Sequence, residues 1–199
     1  MHVDCYLTLN SPWTYLGSAR IEAICAAHGA TIRPWPVDFG LIFAESGGVP
    51  LPRRSAQRRA YRMQELARWR DQLGVPLILE PPHFPFAEPA IAQAVIALRE
   101  TQGDAPALAL AHRILRAVWA EGENPADPAT FARLAADTGQ DGPALLALGA
   151  EPRWAAMREA DSRAALARGV FGAPSYVIGE EIFWGQDRLD FVQRRLAQG

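Results

Sequence analysis

Leu7-Thr8-Leu9-Asn10-Ser11-Pro12-Trp13-Thr14-Tyr15-Leu16 carries an apolar strand into a serine and a proline, and then into the first turn of a helix. Serine is a favoured N-cap, and proline is over-represented at the first helical position because its missing N–H would have no partner there. A hydroxyl so placed also sits among the free N–H groups and the positive end of the helix, which favour a bound anion or thiolate. Ser11 is therefore both a cap and the leading candidate for a reactive-centre residue.

Working outward, residues 3 to 9 read as a strand. Residues 12 to 28 read as a helix stopped by Gly29, with Ile21, Ile24 and Cys25 on one face. Thr31 to Phe39 reads as a second strand, which Pro34 and Pro36 confine to a sheet edge or an irregular path. Strand, helix, strand in this order suggests a parallel unit. From residue 40 the composition predicts loop, through Gly47-Gly48-Val49-Pro50-Leu51-Pro52, before a helix over Ser55–Leu73 closed by Gly74 and Pro76. A proline-dense loop at Glu80–Phe86 precedes alanine-rich helices near 88–100, 105–121, 128–137, 141–149 and 152–168. Ala173–Ile178 and Glu181–Trp184, joined by Gly179-Glu180, read as a hairpin, and Gln186-Asp187-Arg188 opens a last amphipathic helix. The expected fold class is α/β: a thioredoxin-like domain, residues 1–40 and 169–199, split by an inserted all-helical domain over 41–168.

Composition narrows the function. The chain has 199 residues, 49% of them hydrophobic, enough to bury a substantial core. A net charge of −2 argues against a surface-wide nucleic-acid footprint. All 20 basic residues are arginine, which removes lysine Schiff-base chemistry and the P-loop lysine. No apolar run reaches the roughly 18 residues of a membrane span, and Met1–Cys5 lacks a signal-peptide layout, so a cytoplasmic location is expected. Cys5 and Cys25 form no Cys-x-x-Cys pair and read as buried small hydrophobes. His2, His28, His83 and His112 have no metal-ligand spacing, so no metal site is expected.

Asn10-Ser11-Pro12-Trp13-Thr14-Tyr15-Leu16, Leu66-Ala67-Arg68-Trp69 through Leu73-Gly74-Val75-Pro76, Gly169-Val170-Phe171-Gly172-Ala173-Pro174, and Phe183-Trp184-Gly185-Gln186-Asp187-Arg188-Leu189 together carry a resemblance. The chain resembles the 2-hydroxychromene-2-carboxylate isomerases, relatives of the kappa-class glutathione transferases and the DsbA oxidoreductases. The resemblance implies a cis bond before Pro174, with the Ala173 backbone turned out to pair with the cysteinyl part of glutathione in the manner of a short strand. Where the DsbA enzymes have Cys-x-x-Cys this chain has Ser11-Pro12-Trp13-Thr14, so it cannot exchange dithiols by itself. The implied sulfur is that of glutathione as cofactor, with Ser11 donating to the thiolate. Lowering a thiol pKa from about 8.5 to about 6.5 needs roughly 2.7 kcal/mol of preferential thiolate stabilisation.

The resemblance further assigns Trp184, Gly185, Gln186 and Asp187 to the γ-glutamyl end of glutathione, although Asp187 is equally a good helix cap. Arg58 stands where relatives often have a lysine that contacts the cofactor. Arg53 and Arg54 align with the family's substrate loop, and His83 falls in a loop that lines the substrate pocket. Arginines 53, 54, 58, 59, 62, 68 and 70 crowd one stretch; most of such a run belongs to a solvated helix face, with about one to three turned inward. Trp13, Tyr15, Phe84, Phe86 and Trp184 are candidate apolar walls, or core. Phe43 and Pro52 depart from the family's lysine and asparagine and leave the second substrate open. The implied activity is a glutathione-dependent cis–trans isomerisation of an aromatic-degradation intermediate, a small aromatic carboxylate, by a homodimer. The alternatives are a kappa-like glutathione transferase and a non-catalytic thioredoxin-like binding module.

Overall fold

The structure, a computed structural model, describes residues 1–199. It is an α/β fold built on one mixed sheet of strand order β2-β1-β3-β4: β1 is His2–Leu7, β2 Thr31–Pro36, β3 Ser175–Ile178 and β4 Glu181–Trp184. β1 runs parallel to β2 and antiparallel to β3, and β3–β4 is the expected hairpin. The two prolines of β2 are tolerated because β2 lies at the sheet edge, where a missing N–H costs no ladder bond on the outer side.

Helix α1 (Pro12–Ala27) crosses from β1 to β2 and packs Ile21 and Cys25 into the core. After β2 the structure departs from the sequence reading. The strand ends at Pro36 rather than Phe39, and Phe39–Ser46 forms a helix, α2, where loop is expected. Asp38 is the reason: its carboxylate accepts from the N–H of Gly40 at 2.8 Å and of Leu41 at 3.4 Å, an N-cap that turns the chain into a helix immediately. Phe39 and Ile42 then bury against Tyr6, Val37, Ala165 and Val177 in a small second core.

Helix α3 (Ala56–Leu73) is capped by Ser55, whose hydroxyl accepts from Arg58 N–H. It is followed by α4 (Pro89–Gln102), α5 (Asp104–Arg116), α6 (Pro128–Ala136), α7 (Gly142–Gly149) and α8 (Pro152–Ala167). Between α5 and α6 the chain winds into a π turn, Ala117–Glu121, that carries the fully buried Trp119. Helix α9 (Leu189–Leu196) closes the chain after a 3₁₀ turn at Gln186–Arg188. The main core, 34 buried residues, runs without interruption from the sheet and α1 (Val3, Leu7, Ile21) into the helices between the two sheet halves (Val95, Leu110, Phe131). No helix is long and apolar enough to cross a membrane.

One buried carboxylate fixes the turn from β1 into α1. Glu88, at the start of α4, accepts from the Thr8 hydroxyl, from Leu9 N–H at 3.0 Å and from the Asn10 amide at 3.1 Å. Asn10 also exchanges hydrogen bonds with the backbone of Phe86. A solvent-shielded carboxylate is stable only when its lone pairs are occupied. These donors occupy them, and Arg158 stands 3.9 Å away. The position of Ser11 is thereby set by contacts to a segment some 75 residues distant in sequence.

Candidate functional site

Ser11 caps α1, its Oγ accepting from Thr14 N–H at 3.1 Å, and its side of the helix end is nearly closed, with 7% of the residue exposed. That bond uses a lone pair and leaves the hydroxyl proton without an acceptor in the chain. Pro12 has no N–H, Thr14 N–H goes to Ser11 Oγ and Tyr15 N–H to Ser11 C=O, so Trp13 N–H is the free backbone donor of the first turn. Two uncommitted donors therefore lie at the positive end of α1.

The Trp13 ring borders two adjoining clefts. The first, about 360 Å³, is walled by Trp13, Tyr61, Glu65, Trp69, Ala173 and Trp184, with Gly185, Gln186, Asp187 and Arg188 at one end. The peptide between Ala173 and Pro174 is cis, as is that between Phe84 and Pro85. Ala173 N–H and C=O make no hydrogen bond within the chain, whereas Pro174 C=O accepts from Gly185 N–H at 2.8 Å and ties the two loops together. Gly185 has φ +100°, and a Cβ there would lie 2.4 Å from Asp187 Oδ1, so glycine is required if the Asp187 carboxylate is to fold over its own turn. Gln186 is buried and receives Arg20 through both its carbonyls, at 3.1 Å (backbone) and 2.7 Å (side chain), which locks the 3₁₀ turn against α1. Asp187 is paired with its neighbour Arg188 at 3.0 Å.

The second cleft, about 410 Å³, is lined by Trp13, Arg54, Gln57, Arg58, Tyr61, Arg62 and Glu65. Arg58, Tyr61, Arg62, Glu65 and Trp69 recur at three-to-four spacing, so one face of α3 borders both clefts. Arg54 Nε donates to Val49 C=O at 2.8 Å. Burial, and then the charge of Arg54, pull the Arg62 guanidinium down to about 10. Burial and the nearby Arg58 likewise lower Arg54. Glu65 is held below the usual carboxylate range, first by its bond to Arg68.

Most of the expected site residues are thus brought together: Ala173, Trp184, Gly185, Gln186 and Asp187 in the first cleft and Arg54 and Arg58 in the second, while Ser11 lines neither and stands at the helix end next to Trp13, which lines both. Arg53 and His83 are not; both are exposed and border neither cleft. Among the aromatic candidates, Trp13 and Trp184 are walls, Phe86 is core, and Tyr15 is turned to Pro76 C=O at 2.7 Å. Arg62 is one of the seven arginines among which the sequence reading left the inward ones open, although its position one helical turn past Arg58 was a usable signal. Both cysteines are buried with thiols raised by burial, Cys25 to about 11, and neither serves as a nucleophile.

A family model described as the DSBA-like thioredoxin domain matches residues 2–197. A curated 2-hydroxychromene-2-carboxylate isomerase of Sphingobium xenophagum is 31% identical over 195 residues, covering 98% of this chain and 97% of that protein. A solved structure of a 2-hydroxychromene-2-carboxylate isomerase superposes with a TM-score of 0.86 at 25% identity, over 100% of this chain and 95% of the other. The cytosolic disulfide reductase DsbM of Pseudomonas aeruginosa, solved with GSH, shares the fold with a TM-score of 0.67 at 22% identity, over 99% and 100% of the two chains. The chain belongs to the DSBA-like thioredoxin domain family and, within it, groups with the 2-hydroxychromene-2-carboxylate isomerases.

Proposed function

We propose that the protein is a glutathione-dependent cis–trans isomerase of a conjugated aromatic carboxylate, of the 2-hydroxychromene-2-carboxylate to benzylidenepyruvate type. The observation that carries this reading is the pair of uncommitted donors, Ser11 O–H and Trp13 N–H, at the start of α1, where Trp13 borders two clefts whose chemistry differs. The first cleft suits a tripeptide: it offers an unpaired backbone amide and carbonyl at Ala173 for strand-like pairing, and the Asp187 carboxylate for an ammonium. The second offers guanidiniums and aromatic rings, the chemistry that receives an aryl acid.

When bound, glutathione supplies a thiolate nucleophile to a conjugated double bond and is recovered unchanged. The chain's own residues do the rest. Ser11 O–H would donate a hydrogen bond to a sulfur anion while its lone pair keeps Thr14 N–H, so the cap and the donor role coexist. The α1 N-terminus adds its partial positive charge. Trp13 and Tyr61, which border both clefts, offer faces for a flat ring. Neither Ser11 nor Thr14 is a cysteine and both cysteines of the chain are buried, so the start of α1 has no thiol pair for dithiol exchange.

The fold's non-catalytic use, as a binding module, predicts no glutathione affinity. The transferase reading predicts loss of one thiol per substrate. Calorimetry with glutathione, followed by thiol counting during turnover of 2-hydroxychromene-2-carboxylate, tests all of these. The expected result is binding with total thiol constant while substrate equilibrates; no binding refutes both enzymatic readings, and stoichiometric thiol loss refutes the isomerase. The same protein in sizing chromatography is expected to run as a homodimer, and location in the cytoplasm suits a cofactor that is abundant there as the free thiol.

A further inference from the structure

A shielded guanidinium without a counter-charge is costly, and three arginines turned into the fold elsewhere avoid that cost. Arg99 pairs with Glu100 and Asp161, Arg33 with Glu100 and Asp104, and Arg158 donates to the carbonyls of Pro36 and Val37. Arg62 has no carboxylate within ion-pair distance; its one polar contact is Met63 Sδ at 3.7 Å. It is braced instead by aromatic faces, its guanidinium carbon 5.6 Å from the Phe84 ring centre and 5.9 Å from that of Trp119. Those two rings pack together at 4.8 Å, and Trp119 is fully buried in the π turn, so the brace is rigid. A cation–π contact of this kind uses none of the guanidinium N–H groups for a carboxylate and leaves the fork free.

The surrounding charge is unbalanced in the same sense. Arg54, Arg58 and Arg62 border one cleft together with a single carboxylate, Glu65, and that carboxylate is already held by Arg68 at 2.6 Å. An anion entering the cleft is the partner this geometry lacks.

We propose that Arg62 is the carboxylate anchor of the second cleft, gripping an aryl-conjugated acid whose ring meets Trp13 and Tyr61, with Arg54 as the second positive charge. The inference rests on reading that cleft as the substrate half of the site, and it makes Arg62 a specificity-determining residue. A neutral electrophile of the same shape would leave the guanidiniums unpaired on binding, so the cleft rejects it, and the chain is biased against the neutral substrates of a transferase.

The test uses trans-cinnamate and its neutral isostere cinnamamide as probes, titrated by calorimetry into the full chain without glutathione, so that it does not depend on the cofactor. Cinnamate is expected to bind at least tenfold more tightly than cinnamamide, and to weaken about 10- to 100-fold in Arg62→Met, the range for a charged hydrogen-bonded contact. Arg62→Lys is expected to fall between, keeping the charge but not the fork. Arg163→Gln, on the exposed face of α8, is expected to bind as the wild type. Should Arg62→Met fail to fold by circular dichroism, the acid-to-amide ratio and Arg62→Lys still decide the matter. Equal binding of acid and amide, unchanged affinity in a folded Arg62 variant, or no cinnamate binding by the wild type overturns the proposal. Cinnamate binding with no glutathione binding overturns the cofactor reading alone.

Discussion

Replacing Ser11 by alanine separates two roles that the structure superimposes on one oxygen. The first is the cap: losing the Ser11 Oγ to Thr14 N–H bond, 3.1 Å long and shielded, costs about 1 kcal/mol. For a chain of 199 residues that lowers Tm by about 2–4 °C. The second is the donor. A hydrogen bond to a charged acceptor contributes about 1.5–3 kcal/mol, or about 1–2 pH units of thiol pKa at roughly 1.4 kcal/mol per unit. Trp13 N–H and the helix end remain, so the pKa of bound glutathione rises in Ser11→Ala without reaching that of the free thiol. The assay is a pH titration of thiolate ultraviolet absorbance with glutathione saturating, beside a thermal melt of the same sample. Ser11→Gly is the discriminating control, because glycine at an N-cap costs only a few tenths of a kcal/mol. Glycine is expected to restore most of the Tm and none of the thiol pKa. A bound thiol that titrates identically in wild type and Ser11→Ala, or a shift that Ser11→Gly repairs, would refute the assignment of the hydroxyl as thiolate donor.

Three further outcomes follow from local geometry. In Gly172→Ala the new Cβ would sit 2.3 Å from Trp184 Nε1; since Trp184 is 51% exposed, the indole swings outward, costing about 1 kcal/mol or less in urea but weakening glutathione on the order of tenfold by titration. An unchanged affinity would remove Trp184 from the site. Glu88→Gln turns an amide N–H₂ toward the donors of Thr8, Leu9 and Asn10, so a loss of about 1–3 kcal/mol in urea unfolding is expected. A loss below about 0.5 kcal/mol, the range of ordinary surface changes, would show that this carboxylate does not hold the β1–α1 turn. Burial opposes ionisation of Asp4, but its bonds to Arg168 and Trp35, each 2.7 Å, outweigh it and hold its pKa below the ordinary 3.8. Its contribution, about 1 kcal/mol, is therefore complete above pH 3.8 and lost as pH falls through the lower folded value. The stability gap between wild type and Asp4→Asn is expected to be constant at neutral pH and to close on acidification; a gap that widens in acid contradicts the sign.

Features with short-range causes were legible in the chain. The Ser11-Pro12 cap, the stops at Gly29 and Gly74, the edge placement of a strand containing Pro34 and Pro36, and the Gly179-Glu180 hairpin each follow from the backbone preferences of a few neighbouring residues. The residues of the first cleft were legible through motif resemblance alone, since nothing local brings Ala173 beside Asp187. Helix α2 escaped because Gly40 and the following glycine-proline tract masked the Asp38 cap, whose hydrogen bonds decide the turn. Arg53 and His83 border neither cleft: a residue can align with a site-lining loop and still be exposed once the loop is folded.

What the sequence by itself determined is the order of the strands and of the helices other than α2, the α/β class and the Ser11-Pro12 cap that opens α1, because helix capping, proline geometry and hydrophobic period act over distances of one or two turns. What only the tertiary structure decided is which of the arginines without a counter-ion is shielded between aromatic rings. Arg62 reads like its neighbours in the string; it differs because Phe84 and Trp119, from two remote segments, flank it while the nearby carboxylate is bound to Arg68. Electrostatic energy depends on burial and on every charge within a few ångströms, and those are properties of the packed chain, not of any window of it.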